Sequence, residues 1–204
     1  MNVIFDYGSV LVGWKPQNLL EKILPDPGER AAFEEILDRD YIPAIDVSAN
    51  LEDFVALFPA DYPRWAEAAR LYRSGWTDML GEEIPGMANL IRKLRIRGYG
   101  VYGLTNWNRE TFDRSRRICP IMRMIPEKDL VVSGDLGYGK PDSRIYDYAL
   151  HKFSLEAGEC VFVDDREANV KAAVSLGMKG VVFHGATDLV RHLAEAGIDL
   201  YGDE

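Results

Sequence analysis

Cysteine, histidine and long apolar runs are all scarce in this chain. Cysteine occurs only as Cys119 and Cys160. The two form no CxxC pair and each lies in an apolar setting, so they read as free thiols in a reducing cytoplasm. Histidine occurs only as His151, His184 and His192; His184 follows a strand-like run but reads as a surface residue. No stretch approaches the ~18 apolar residues of a transmembrane helix, so no membrane association is expected. No charged leader precedes the first apolar run, so no signal peptide is expected and the protein is expected in the cytoplasm. Basic residues are outnumbered 24 to 33, for a net charge of −9. This disfavours a nucleic-acid partner, because such binding depends on Lys and Arg neutralising phosphates. A locally positive cleft for a small phosphorylated molecule stays compatible with it. Internal repeats and low-complexity segments are also lacking.

What is present is an ordinary soluble composition, 47% hydrophobic and 28% charged. A chain of this length buries roughly 70% of its unfolded surface, enough for one core with a small insertion. Short, wholly apolar runs predict strands at Val3–Phe5, Gly100–Leu104, Leu130–Ser133, Cys160–Val163 and Gly180–Phe183. Runs of this kind suit parallel strands covered on both faces. Helical faces lie between them. Met87, Leu90, Ile91 and Leu94 form one, stopped by Gly98. Tyr146, Ala149, Leu150 and Phe153 form another. Ala168, Ala172 and Leu176 form a third, stopped by Gly177, and Leu189, Val190 and Leu193 a fourth. The alternation predicts an α/β fold built on a doubly wound parallel sheet. Residues 15–80 break the pattern with helical faces only, among them Leu19, Leu20, Ile23 and Leu24, and Trp65, Ala69, Tyr72 and Trp76. They predict a helical cap (15–80) inserted after the first strand of a core made of 1–14 and 81–204. Its aromatics are expected to glue the helices together.

The strand ends carry the chemistry. The opening "NVIFDYGSVLVGW" ends its first strand on Asp6. "GLTNWN" puts Thr105 and Asn106 at a second carboxyl edge, "GDLGYGKPDSRIY" carries Lys140 just before a helix, and "DDREANVKAA" puts Asp164 and Asp165 at a third edge. Singly, each could cap a turn or a helix, and Lys140 could be a solvated loop residue. Jointly, they are the residue types of a phosphoryl-transfer site, gathered where open α/β sheets bind ligands. Two adjacent acids ending a buried strand also repel each other unless a cation holds them.

In this order the motifs resemble the haloacid-dehalogenase-like hydrolase superfamily over essentially the whole chain. They look closest to the subgroup of bacterial glucose-1-phosphate phosphatases and the phosphatase domain of soluble epoxide hydrolase. The resemblance implies a Rossmann-like sheet with Asp6 on its central strand, and a Mg²⁺-dependent phosphatase acting on a small phosphorylated metabolite such as a sugar phosphate. Asp6 is then the nucleophile that forms an aspartyl-phosphate. Asp6, the Gly8 carbonyl and Asp165 hold Mg²⁺ with Asp164 close by, so that the cation and Lys140 balance three carboxylates. Thr105, Asn106 and Lys140 bind the phosphoryl oxygens, and Asn169 orients groups behind the site. A monomer or homodimer is expected.

Gly8 departs from the pattern. Most phosphatases of the superfamily carry a second aspartate there to protonate the leaving oxygen and activate water, and many have threonine where Val10 stands. General acid–base help is worth roughly 10²–10⁴ in rate. Its absence predicts a steep dependence on the leaving group and slow breakdown of the aspartyl-phosphate. Another residue could supply the proton instead, from the cap segment around Asp40 to Asp46. Two alternatives stay open: a 2-haloacid dehalogenase, whose halide leaves without a proton, and a catalytically weak relative that binds a ligand or a protein. A phosphorylation receiver also uses Asp, Thr and Lys, but its acid pair comes first in the chain, whereas here it comes last.

Overall fold

In a computed structural model describing residues 1–201, the chain forms a five-stranded sheet and a two-stranded ribbon. The strands in chain order are β1 (Asn2–Phe5), β2 (Val12–Trp14), β3 (Leu80–Glu83), β4 (Gly100–Thr105), β5 (Leu130–Val132), β6 (Cys160–Asp164) and β7 (Lys179–Val182). The main sheet runs β5-β4-β1-β6-β7 and is parallel throughout. β1 is central, and the chain winds outward from it on both sides. That makes the carboxyl end of β1 the topological switch point, where such sheets bind ligands.

Both faces of the sheet are covered, which explains the unbroken apolar runs. Val3 and Phe5 pack on one face and Ile4 on the other; Val161 and Val163 oppose Cys160 and Phe162 in the same way. Helices α6 (Met87–Ile96), α7 (Arg109–Ile118) and α10 (Ala186–Glu195) cover the first face, through Leu90, Phe112 and Leu189 among others. Helices α8 (Ser143–Phe153) and α9 (Glu167–Ser175) cover the second, through Tyr146 and Ala173. Gly98 and Gly177 have φ of 79° and 93°, the left-handed geometry that ends a helix.

One predicted face is corrected in part: Ala172 and Leu176 pack, partly buried, against the second-face core as expected, but Ala168 does not. In α9 the buried residues are Asn169, Val170 and Ala173, while Ala168 is exposed. Alanines at three- and four-residue spacing fit either side of such a helix. Polar contacts decide between them: Tyr146 donates to the Asn169 carbonyl at 2.9 Å, and the Asn169 side chain reaches Asp164.

Between β2 and β3 run α1 (Gln17–Ile23), α2 (Pro27–Ile36), α3 (Ile42–Ile45), α4 (Glu52–Asp61) and α5 (Ala66–Ser74). Phe33, Phe54, Phe58, Trp65 and Tyr72 meet ring to ring inside this insertion, and its core is continuous with the first face of the sheet. The antiparallel β2–β3 ribbon at its neck has no counterpart among the predicted strands. It is too short for a periodic signal. It closes where a Cβ on Gly13 would lie 3.2 Å from Gly81 Cα, a tight contact that glycine avoids.

Candidate active site

Asp6 leaves the sheet at the end of β1. Its N–H still donates to the Val163 carbonyl at 2.9 Å, so the carboxylate emerges between β4 and β6. Tyr7 is fully buried and packs edge-on against Phe112, with ring centroids 5.2 Å apart. The next turn is closed by Leu11 and Val12 N–H groups donating to the Tyr7 carbonyl at 2.9 and 3.1 Å. Ser9 in that turn has φ of 58°, an uncommon conformation for a non-glycine residue. Burial pushes the Asp6 carboxyl up to about 6, against Lys140 and with help from Asp164.

β4 ends on Thr105, whose Oγ1 is buried and has no hydrogen-bond partner. Asn106 follows and clasps the Lys140 backbone. Its Nδ2 donates to the Lys140 carbonyl, and its Oδ1 accepts the Lys140 N–H, both at 2.7 Å. Gly139 makes room for this clasp, since a Cβ there would lie 2.7 Å from Asn106 Oδ1.

Lys140 is thereby set under the site with its side chain 1% exposed. Its Nζ donates to Leu104 O at 3.0 Å and to Asp164 Oδ2 at 2.6 Å, and lies 2.9 Å from Asp6 Oδ1. Two hydrogen bonds and one ion pair thus surround the ammonium. Burial opposes its charge, but Asp6 and Asp164 outweigh burial and hold it above the usual lysine range. The contact to Asp6 is an ion pair; Asp6 Oδ1 accepts no hydrogen bond.

Asp164, at the end of β6, is saturated. Oδ1 accepts from Arg166 N–H at 2.8 Å and from Asn169 Nδ2 at 3.0 Å, and Oδ2 accepts from Lys140. Asp165 beside it is exposed, and desolvation and the Asp164 charge raise its carboxyl above the usual range. Carboxylate oxygens of Asp6, Asp164 and Asp165 lie within 4.8 Å of one another. This hard, anionic oxygen set suits Mg²⁺, and Asp6 Oδ1 accepts no hydrogen bond, its contact to Lys140 being an ion pair.

Apart from the fully buried Asp164, these residues line one cavity of about 370 Å³. Asp6, Gly8, Thr105, Asn106, Lys140, Asp165 and Asn169 lie along it, with Trp14, Tyr72, Trp76 and Trp107 as an aromatic wall. No histidine lines it. It also takes in groups that the strand-end reading passed over: Ser9, Arg166 and, from the insertion, Glu34 and Asp38. Asp46 lines it too, whereas Asp40 is exposed and paired with Arg39. Arg166 had one available signal, its place directly after the acid pair.

Comparison with known proteins gives the family. The family model for haloacid dehalogenase-like hydrolases matches residues 2–177. The chain belongs to that family. This hydrolase is 32% identical to the sesquiterpene phosphatase astK of Aspergillus oryzae over 184 residues, 87% of each protein. It is 29% identical over 126 residues to flavin mononucleotide hydrolase 1 of Arabidopsis thaliana; the match covers 57% of this chain and 46% of that protein. A family enzyme from Bacteroides thetaiotaomicron, solved with magnesium and inorganic phosphate, shares the fold at a TM-score of 0.70 and 20% identity. The match covers 91% of this chain and 94% of that one. Among the described residues, no helix is long and apolar enough to cross a membrane.

Proposed function

We propose that this hydrolase is a Mg²⁺-dependent phosphatase that cleaves a small phosphorylated metabolite through an aspartyl-phosphate on Asp6. One observation carries the reading. A buried hydroxyl on Thr105 has no hydrogen-bond partner, and it lines the same cavity as the Asp6 carboxylate, which is ion-paired with the buried Lys140 at 2.9 Å. Unpaired buried polar atoms are costly unless a ligand satisfies them.

Asp6 attacks phosphorus, the bond from phosphorus to the leaving oxygen breaks, and that oxygen takes a proton. Water then attacks phosphorus, gives up a proton, and releases inorganic phosphate with Asp6 restored. Thr105 Oγ1 donates to a phosphoryl oxygen. Lys140 offsets charge beneath the reacting groups, while Asn106 fixes its backbone and lines the phosphoryl end of the cavity. Asn169 keeps Asp164 oriented towards Lys140. Mg²⁺, held by Asp6, Asp165 and the Gly8 carbonyl with Asp164 close by, supplies positive charge that screens nucleophile from substrate.

Residues 15–80 act as the cap that chooses the substrate. Trp14, Tyr72, Trp76 and Trp107 favour a metabolite with a ring-sized carbon skeleton, which includes sugar phosphates. Asp165 beside Asp6 speaks for a metal and against the metal-free dehalogenase. A cytoplasmic protein, monomeric or homodimeric, is the working expectation. The test is turnover of a phosphate-ester panel with and without Mg²⁺. Release of inorganic phosphate only with the metal supports the reading; halide release from 2-haloacids in its place contradicts it.

A further inference from the structure

Gly8 is the gap in this chemistry, and the structure shows what surrounds it. An added Cβ would have nothing within 4 Å, and the backbone there is not left-handed. Glycine is therefore not required by conformation, and no cap side chain fills the space. The side chain that the mechanism needs is missing from an open position beside Asp6.

The insertion brings three carboxylates to the same cavity, Glu34, Asp38 and Asp46. Glu34 accepts a hydrogen bond from Gln17, and Asp38 is exposed. Asp46 differs from both. It is half-buried, and among the described residues its carboxylate accepts no hydrogen bond and forms no ion pair. Its backbone is fastened to the core. Ser133 Oγ donates to the Asp46 carbonyl, and Ser133 in turn accepts the Trp107 N–H at 2.9 Å. Two residues on, the Ser48 carbonyl accepts from Asn108 Nδ2 at 2.9 Å and from Arg109 N–H at 3.3 Å. The Ala49 carbonyl accepts the Glu110 N–H at 3.0 Å. These donors follow β4 and β5 directly, so the segment is anchored on the strand edge that presents Thr105. A catalytic group must be held in this way to act reproducibly.

We propose that Asp46 is the proton donor and acceptor that Gly8 leaves out. Resting on the phosphatase reading, it gives its proton to the leaving oxygen when Asp6 attacks phosphorus. It then takes a proton from the water that hydrolyses the aspartyl-phosphate, and is restored. Its surroundings suit the task. Burial pushes its carboxyl up to about 7, with Arg166 opposing, Asp6 adding and Lys140 opposing. Glu34, Asp38 and Asp165 add negative charge to the same cavity. A group titrating near working pH serves both as acid and as base.

The test compares wild type, Asp46→Asn and Asp46→Asn/Gly8→Asp across phosphate esters of graded leaving-group pKa, with a pre-steady-state trace on p-nitrophenyl phosphate. Wild type should show a shallow leaving-group dependence and no burst. Asp46→Asn should lose roughly 10²–10⁴ in rate on alkyl phosphates and far less in the first step on the aryl ester. It should release a burst of nitrophenol near one equivalent per site. A carboxylate at position 8 should remove the burst, which no structural role for Asp46 would explain. Asp46→Ala serves equally well, because the bonds that anchor the segment run through its backbone. An Asp46 variant whose slope and burst match wild type overturns the inference and leaves the phosphatase reading standing. A wild type that turns over no phosphomonoester overturns that reading, and the inference with it.

Discussion

Lys140 and Asp164 form a buried ion pair, Nζ to Oδ2 at 2.6 Å, with side chains 1% and 0% exposed. Because the same Nζ faces Asp6 at 2.9 Å, this pair is the electrostatic floor of the site. Lys140→Ala leaves Asp164 buried without its cation. The expected costs are about 3–5 kcal/mol of stability, typical for breaking a buried pair, and a fall in turnover of at least ~10². Denaturant melts and steady-state assays on one preparation check both. A stable variant with unchanged turnover would show that Lys140 is a bystander.

Metal dependence follows from the acid set. EDTA should abolish phosphatase activity and Mg²⁺ should restore it. Wild type should also gain thermal stability on titration with Mg²⁺. Asp165→Asn should fold normally, as an exposed substitution does, yet respond to far higher Mg²⁺ only. Superimposable titrations for the two proteins would remove Asp165 from the ligands.

The strand-end residues were legible in the sequence for a physical reason. Strands covered on both faces are apolar throughout, so the first polar residue after each run marks the sheet edge. Asp6, Thr105 and the Asp164–Asp165 pair stand out in this way. Lys140 was legible through its motif. Asp46 was legible only as part of a stretch, because its place depends on Ser133, Asn108 and Arg109, far away in the chain. The side of α9 that packs was legible only in part: Ala172 and Leu176 do pack, but alanine is indifferent to burial, and nothing local marks Asn169 as a buried residue. The Asn106 clasp on the Lys140 backbone was hidden for a similar reason: nothing local distinguishes an amide that binds substrate from one that binds a loop.

Asp46 gives a pH signature in stability as well as in rate. Its carboxyl titrates at about 7 when folded, against the ordinary 3.8. Between those values the folded chain keeps a proton that the unfolded chain releases, so stability falls as pH rises through this window. Asp46→Asn removes that dependence. It should melt close to wild type near pH 4 and above it at pH 8. The gap is at most about 4 kcal/mol, reduced by solvent screening at a half-buried site. Parallel curves for the two proteins from pH 4 to pH 8 would contradict the raised value.

Position 8 should tolerate a side chain. Its backbone is not left-handed, and its Cβ direction is open. Gly8→Ala should therefore leave the fold intact and raise stability by about 0.4–1 kcal/mol, through the less flexible unfolded chain. A loss of more than ~1 kcal/mol in denaturant unfolding would mean that the turn needs glycine after all.

The most direct measurement of the account as a whole is turnover of p-nitrophenyl phosphate by Asp6→Asn protein with saturating Mg²⁺, after circular dichroism has confirmed its fold. The amide keeps the shape of the side chain but is a poor nucleophile. The account predicts that turnover drops to background, and that acid-quenched wild type alone carries a phosphoryl group on the peptide containing Asp6. A well-folded Asp6→Asn protein that turns over near the wild-type rate would contradict it.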